Sequence, residues 1–289
     1  MANTTNLPNE SCSTCHSRID VHSRWCPGCS ADVGFPNVRA ASRHEETDAL
    51  IQRWEDAEIS ANSKKCEPIL HAFEASVKQS KAVINKSAGE INPILSGDNI
   101  LYSTFYHAID GQSRLPENNF YDMARGPTDS TLFPYYYKEM RFAALSLDGR
   151  GVQKFGALTM VLREHIIKHR ATVFEENSVE FCARHKITIG SPIPLGYRTV
   201  WDKRHQLAAA KLHSKLTAQT VEEDFPEILL QPGTKTADAD FIEVHIYGSL
   251  NNRGIERIVG KLPKNKPDRV LVESWKSKIE GLGVILDIT

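Results

Sequence analysis

Two Cys-x-x-Cys pairs lie near the start of the chain, at Cys12/Cys15 and Cys26/Cys29. Ten residues separate the pairs, and four thiolates at this spacing can surround one Zn²⁺ tetrahedrally. Four protein ligands leave no open position for water or substrate, so we expect a structural metal and chemistry located elsewhere. Residues 1–36 are therefore predicted to form a zinc ribbon that metal binding folds.

The bulk composition describes an ordinary globular protein, with 25% charged residues and a formal net charge of -1. That charge gives no global signature of polyanion binding. Met1–Glu10 has no apolar stretch typical of a signal peptide, and no apolar run approaches the ~20 residues of a membrane span. Without an export signal, metal binding by the clustered cysteines is favoured over disulfides. We expect a cytoplasmic protein without membrane contact.

Residues 37–88 are predicted to form a helical connector. Ser42 and Glu45 have the spacing of a capping box, and apolar residues then recur at helical spacing to about Lys65. A second helix is predicted from Pro68 to about Ser87. This helix pair either packs against the body of the protein or forms a surface for a partner.

Residues 89–289 are predicted to form an α+β domain, because their sequence pattern indicates many short strands and few helices. Asp148–Gly151 between two apolar runs predicts a β-hairpin. Strands are predicted at 99–109, 141–147, 155–162, 170–174, 241–247 and 284–288, and helices at 200–216, 255–259 and 268–281.

One acidic residue, Glu243, lies in the middle of the largely apolar strand predicted over 241–247. A carboxylate there is costly unless it has a partner or a function. His245 and Phe241 should share its face of the strand, because side chains alternate with a period of two. Glu243 is therefore either a salt-bridged structural residue or a reactive one.

Two other segments carry polar residues near predicted strand ends. His107 lies close to the end of the strand predicted over 99–109. The segment 170–178 places small hydrogen-bonding side chains and one aromatic ring around a strand end, at Thr172, Phe174, Asn177 and Ser178. Taken alone, each segment is also consistent with a purely structural role.

Taken together, the three segments resemble the ADP-ribosyltransferase fold. Phe-Ile-Glu-Val-His-Ile-Tyr-Gly, residues 241–248, is similar to the glutamate strand of bacterial members, including toxins of toxin–antitoxin and anti-phage systems. The resemblance covers about residues 98–289 and implies a split β-sheet. Position 241 is Phe, so the chain lacks the Glu-x-Glu pair typical of protein-arginine modification, and this leaves nucleic acid as an acceptor.

The resemblance also implies roles for particular residues. Glu243 would hydrogen-bond a ribose hydroxyl of NAD⁺ and stabilise the positive charge that develops as nicotinamide leaves, and His107 would hold the same ribose. Phe174 or Tyr136 would stack on nicotinamide. The remaining cofactor-binding side chains would be Thr172, Asn177 and Ser178.

These features lead to two functional hypotheses. The first is a cytoplasmic NAD-dependent ADP-ribosyltransferase that modifies a macromolecule such as RNA or DNA, as a toxin or anti-phage effector with an antitoxin or chaperone partner. The second is a non-catalytic zinc-ribbon protein that binds nucleic acid or acts as an adaptor. The basic loop 261–269 and the aromatic–basic segment 197–205 suit single-stranded nucleic acid in either case.

Overall fold

The computed structural model describes residues 10–97, 100–111, 120–233 and 238–289, without the side chains of Ala108 and Phe120. Within these residues, eight strands form one mixed sheet in the order β5-β4-β6-β2-β1-β3-β7-β8. All neighbouring pairs are antiparallel except β7 and β8, which are parallel. The strands are β1 (Lys81–Lys86), β2 (Met140–Ser146), β3 (Leu158–Leu162), β4 (Ala171–Phe174), β5 (Arg198–Val200), β6 (Glu243–Tyr247), β7 (Ile255–Gly260) and β8 (Ile285–Ile288).

The helices of the described residues are mostly short. They are α1 (Pro36–Ala41), α2 (His44–Ser63), α3 (Glu67–Val77), α4 (Ala88–Leu95), α5 (Phe105–Asp110), α6 (Phe120–Leu132), α7 (Glu164–Ile167), α8 (Ser178–Arg184), α9 (Arg204–Leu212), α10 (Phe225–Leu229) and α11 (Lys266–Lys278). The α+β class is as predicted, and the strands of the described residues form one mixed eight-stranded sheet. All eight strands belong to one continuous sheet, whereas the ADP-ribosyltransferase resemblance implies a sheet that is split in two.

One face of the sheet, here called the helical face, carries mostly apolar side chains on its central strands, with Arg141 of β2 opposite Ile246 at one end. Ala143 and Leu145 of β2 lie there with Val244 and Ile246 of β6, and helices α2, α3, α4, α9 and α11 cover them. Residues such as Leu70, Phe73, Leu207 and Trp275 fill the layer between. This face forms the main hydrophobic core.

The opposite face, here called the polar face, carries the candidate site residues. Cross-strand pairing places Phe142 of β2 and Thr172 of β4 opposite His245, and Phe174 opposite Glu243, and directly opposed residues share a face. Helices α6 and α8 and the N-terminal ribbon pack on it through a smaller apolar cluster that includes Val21, Leu132, Phe133, Phe181 and Tyr247.

The predicted hairpin is wrong, because β1 lies between β2 and β3. Val83 of β1 pairs with Ala144 on one side and with Val161 on the other. The turn at Gly149 exists, with φ at +79°, but its loop crosses the end of the inserted strand. The prediction of helix to Ser87 is therefore also wrong: β1 comes from the segment assigned to the helical connector, and it is a central strand.

Three further local predictions are also wrong. Helix α2 begins at His44 without a side-chain cap, because Ser42 ends α1 and its hydroxyl donates to the Val38 carbonyl. The capping box is instead at Ser87 and Glu90, at the start of α4. Residues 255–260 form a strand rather than a helix, since both of their edges pair, with β3 and β8. Residues 105–110 form α5 rather than a strand.

Candidate functional site

The ribbon consists of two turns with the same hydrogen-bond pattern. In the first, Cys12 N donates to Ser17 O and His16 N to Cys12 O; in the second, Cys26 N donates to Ala31 O and Ser30 N to Cys26 O. His16 and Ser30, which follow the second cysteine of each pair, both have φ near +60°. An isolated β-bridge closes each turn separately, at Ser11–Arg18 in the first and at Trp25–Asp32 in the second.

The two turns bring the four sulfur atoms into one cluster within 4.8 Å of one another. Cys12 Sγ lies 3.7 Å from Cys29 Sγ, and Cys15 Sγ lies 3.4 Å from Cys26 Sγ. Ligands at about 2.3 Å in a ZnS₄ tetrahedron are about 3.8 Å apart, so this geometry can hold a metal such as Zn²⁺. Backbone N–H groups of Cys15 and Thr14 lower the pKa of Cys12 to about 6, which favours the thiolate that a metal needs.

The ribbon and α1 are hydrogen-bonded to the polar face. Asn37 donates from Nδ2 to the carbonyl of Arg170 at 3.0 Å and to that of His245 at 3.2 Å, and it lies 3.4 Å from Thr172 Oγ1. Nδ1 of His22 lies 2.8 Å from the Tyr247 hydroxyl. The strand that carries Glu243 is thus connected directly to the ribbon.

Glu243 is buried and hydrogen-bonded at the start of β6. Its Oε2 accepts from the Ser178 backbone N–H at 3.0 Å and lies 2.9 Å from His245 Nε2. A carboxylate only accepts, so Nε2 carries the proton. Burial opposes ionisation, but the hydrogen bond and charge of His245, the charge of Arg125 and the Ser178 N–H together hold the pKa of Glu243 below its ordinary value. Glu243 is therefore a carboxylate at neutral pH.

Helix α6 adds a second buried carboxylate beside Glu243. Asp129 Oδ2 accepts from the Tyr106 hydroxyl at 2.8 Å and lies 3.7 Å from Arg125 Nε. The Arg125 guanidinium lies 4.2 Å from the centre of the Phe142 ring. Burial raises the pKa of Asp129 to about 6, against the charge of Arg125 and the hydrogen bond of Tyr106. We refer to Glu243, His245, Ser178, Arg125 and Asp129 as the Glu243 site.

Three aromatic rings enclose His245 in this site. The ring centroids of Phe133, Phe142 and Phe174 lie 4.8, 5.4 and 5.4 Å from that of the imidazole. They fix the imidazole against Glu243 and keep water from the hydrogen bond between them. In such an apolar setting, charge interactions are stronger than at the surface.

Two polar atoms of the Glu243 site have no hydrogen-bond partner among the described residues. They are the hydroxyl oxygen of Ser178 and Oδ1 of Asp129, and both are buried. Nine in ten or more buried polar groups in proteins are paired with protein or water, so each of these atoms can bind a water molecule or a polar group of a ligand.

The predicted site residues divide into two groups in space. Thr172, Phe174, Asn177 and Ser178 lie around Glu243, where Asn177 caps α8 through Val179 N and Glu180 N. Tyr136 belongs to the same apolar cluster as Phe174. His107 is exposed on α5, and no hydrogen bond or ion pair of the described residues joins it to Glu243. Its neighbour Tyr106 is the residue of this segment that reaches the site.

Sequence reasoning assigned no role to Arg125 and Asp129. Gly126 and Pro127 lie between them in α6, and these residues are typical of turns, so the helical pattern is hidden. Only the i, i+4 spacing of an arginine and an aspartate pointed to a helix there. His245 was expected on the face of Glu243, and their contact confirms this placement.

Glu243 is covered in this structure. Its exposed fraction is 3%, and those of Phe174 and Ser178 are 1% and 0%. Helices α6 and α8 pack against each other over the polar face, and the Tyr121 hydroxyl of α6 donates to Glu180 of α8. A substrate can therefore reach the carboxylate only when part of this cover moves.

Most aromatic and basic side chains of the segment 197–205 make contacts within the protein. Trp201 donates to Glu164, Arg198 pairs with the buried Glu46, and Arg204 donates to the Trp201 carbonyl and the Ser80 hydroxyl. These side chains are not presented to a nucleic acid. The basic segment 261–269 was predicted to be a loop, but its last four residues begin α11; the segment is mostly exposed. None of the described helices has the length and apolar character of a membrane span.

Comparison with known proteins identifies no family for this chain. No family description matches it, and none of the curated proteins is significantly similar.

Proposed function

We propose that the chain is an NAD-dependent ADP-ribosyltransferase whose acceptor is a macromolecule, with nucleic acid as the favoured class. The observation that carries the proposal is the buried, ionised Glu243 beside two polar atoms that no described residue satisfies. An ionised carboxylate inside a protein costs several kcal/mol unless it is compensated, and His245, Arg125 and the Ser178 N–H compensate Glu243 and so keep it in the charged form that the proposed role needs. The resemblance of residues 241–248 to a glutamate strand favours the role that this glutamate has in ADP-ribosyltransferases.

In the proposed reaction, the bond between nicotinamide and the ribose carbon of NAD⁺ breaks, and the electron pair leaves with nicotinamide. The acceptor forms a bond to the same carbon and releases one proton. Glu243 stabilises the positive charge that develops on the ribose. Phe174 offers an aromatic face to nicotinamide, and the Ser178 hydroxyl and Asp129 Oδ1 bind polar groups of the substrate. A role for His107 at the ribose requires α5 to approach the site.

The principal test is labelling by NAD⁺ that carries a radioactive adenylate, in lysate supplemented with RNA or DNA. Glu243→Gln keeps the size of the side chain and removes its charge, so labelling should fall by a factor of 100 or more. Glu46→Gln is a matched control, since Glu46 is equally buried and lies outside the site. Labelling by Glu243→Gln at the parental rate, with both variants folded, would contradict the proposal.

A second variant separates chemistry from stability. The Ser178 hydroxyl has no hydrogen bond to lose, so Ser178→Ala should leave the unfolding midpoint nearly unchanged. If the hydroxyl binds substrate, the variant should label about tenfold more slowly. Nuclease treatment of the labelled product tells whether the acceptor is nucleic acid or protein.

The cover over Glu243 favours a second candidate, a nucleic-acid-binding or adaptor protein without catalysis. In that case the Glu243 site is structural, and the basic loop 261–269 and the ribbon contact the partner. A gel shift with RNA and DNA, carried out beside the labelling assay, separates the two candidates. Binding without transfer of label favours the adaptor.

The proposed biological setting is a toxin or anti-phage effector, controlled by an antitoxin or chaperone partner. Induced expression of the parent should arrest bacterial growth, whereas Glu243→Gln should be tolerated. Equal arrest by both proteins would show that toxicity does not depend on this carboxylate.

A further inference from the structure

Three metal-ligating side chains meet between α2 and α3, away from the four-cysteine centre and the Glu243 site. Glu58 extends from α2, and His71 and Glu74 extend from one side of α3, three residues apart. One ligand atom from each lies within 4.8 Å of the other two. Two antiparallel helices thus present one imidazole and two carboxylates to a common point.

The distance between two of these ligands, which also form a long hydrogen bond and an ion pair, matches the spacing of two ligands on one metal. His71 Nε2 lies 3.4 Å from Glu58 Oε1. This distance exceeds the 2.7–3.2 Å of a normal N–H···O bond. Ligands at ~2.1 Å from a tetrahedral metal lie about 3.4 Å apart, which is the spacing that these two atoms already have.

Glu74 provides a separate indication that something binds at this point. Glu74 is buried, with 7% of its surface exposed. Its Oε1 accepts a hydrogen bond from Trp54 Nε1 at 2.9 Å. Within the described part of the chain, its other oxygen has no hydrogen bond and is not among the fully buried atoms, so it is open to a ligand, and no Lys or Arg nitrogen lies within 4.0 Å of it. An indole N–H that orients one carboxylate oxygen and leaves the other free is a typical outer-shell contact of a metal ligand.

We propose that Glu58, His71 and Glu74 form a second metal site, which binds one divalent transition cation such as Zn²⁺. One nitrogen and two oxygen ligands suit the borderline cations of this series, and water would complete the coordination. The site connects α2 to α3 across their connecting turn, where these helices pack on the helical face of the sheet. It is independent of any function assigned to Glu243.

The first test is the metal stoichiometry of full-length protein without a histidine tag, after equilibration with zinc chloride. We expect two zinc ions per chain, one tightly held by the four cysteines and one removed by dialysis against a mild chelator. Cobalt added to protein that holds one zinc should then give weak ligand-field bands without thiolate charge-transfer absorption. A single zinc per chain, or cobalt absorption of the thiolate type only, would overturn the proposal.

Variants assign the second ion to its ligands. His71→Ala and Glu58→Gln should each weaken the second ion at least 100-fold and leave the first in place. His44→Ala is the matched control, since His44 is also exposed and contacts a carboxylate, Asp48, at 2.8 Å. Equal loss of the second ion in His44→Ala would identify adventitious surface binding.

Trp54 supplies a readout that mere packing would not give. Trp54→Phe keeps an aromatic ring and removes the N–H that orients Glu74, so affinity for the second ion should fall about 10–100-fold. Excess zinc should raise the thermal midpoint of the parent and not that of His71→Ala. Unchanged affinity in a folded Trp54→Phe protein would show that Glu74 is not oriented for a metal in this way.

Discussion

The two faces of the central sheet are stabilised in different ways. On the helical face, side chains such as Leu145, Val244 and Ile246 are fully buried among other apolar groups, and five helices cover them. On the polar face, the same strands carry Glu243 and His245, and the Glu243 carboxylate depends on its hydrogen bonds with His245 and the Ser178 N–H. One strand, β6, contributes alternate residues to both.

The difference shows where stability and chemistry are located. On the helical face, the loss of an apolar contact at any position lowers the free energy of unfolding roughly in proportion to the apolar area that is no longer buried. The polar face depends on particular atoms, because a buried charged group that loses its partner is far more costly than a lost apolar contact. The four predictions below test this distinction, from the largest expected effect to the smallest.

The largest effect should come from the ribbon, which covers one end of the polar face. Cys26→Ser removes one of four ligands, so most of the binding free energy of a structural metal, about 10–16 kcal/mol in small zinc domains, should be lost. Metal content should fall, and amide hydrogen exchange should rise throughout residues 10–35. Cys66→Ser changes a buried cysteine outside the cluster and should keep the metal. Unchanged exchange in residues 10–35 would show that metal does not hold the ribbon.

A cavity in the helical face should have the next largest effect. Ile246→Ala removes a side chain that is 0% exposed and should lower the free energy of unfolding by about 2–5 kcal/mol in urea titrations. Ile285→Ala on the edge strand β8 is the control, because Ile285 is 59% exposed and should change stability by less than about 0.5 kcal/mol. Similar losses from both variants would mean that the helical face is not the main core.

The third prediction concerns pH, and it should affect only the polar face. Burial raises the pKa of Asp129 from 3.8 to about 6, so the folded protein binds more protons than the unfolded chain between these values. Asp129 therefore lowers stability as pH rises from about 4 to 6. Asp129→Asn removes this dependence, and at pH 8 it should be more stable than the parent by about 1–3 kcal/mol.

Unfolding free energies measured from pH 4 to pH 8 check this prediction. Asp110→Asn is the control, since the Asp110 side chain is 61% exposed and its substitution should change stability by less than about 0.5 kcal/mol. Glu243 acts in the opposite direction: its pKa is lowered by folding, so its contribution is present at neutral pH and is lost on acidification. A parental profile that is identical to that of Asp129→Asn would contradict the buried environment of Asp129.

The smallest effect should come from the contact between the ribbon and β6. Tyr247→Phe removes the hydroxyl that lies 2.8 Å from His22 Nδ1, and a single hydrogen bond contributes about 0.5–1.5 kcal/mol. The loss should appear as faster hydrogen exchange near His22, while metal content stays the same. His16→Ala is a suitable control, because His16 is exposed in the ribbon. A loss above about 3 kcal/mol would show that the hydroxyl has further partners.

The four-cysteine centre was predictable because the residues that determine its fold are close together in the sequence. Each Cys-x-x-Cys turn closes within a few residues, and Gly28 allows the second turn, where a Cβ would lie 2.2 Å from the Ser17 hydroxyl. Strands β4 and β6 and helices α2, α3 and α11 were also found, since their apolar patterns are continuous. The contact of Glu243 with His245 followed from the alternation of side chains along a strand.

The remaining features depend on contacts between distant parts of the chain. The four central residues of β1 are buried, so the strand has no polar alternation that separates it from a short helix. In β7, Ile255 and Ile258 are three residues apart, and this spacing imitates a helix until both edges are paired. The position of α6 over Glu243 is likewise determined by tertiary packing, so it cannot be predicted from a local sequence pattern.

The insertion of β1 between β2 and β3 has a kinetic consequence. The two strands that flank it are only a loop apart, yet neither can reach its final neighbour until a segment from about 60 residues earlier in the chain has entered between them. During synthesis, β1 and its apolar residues therefore wait unpaired until β2 and β3 have left the ribosome. We expect slow refolding, with β1 as the segment most exposed to aggregation before the sheet closes.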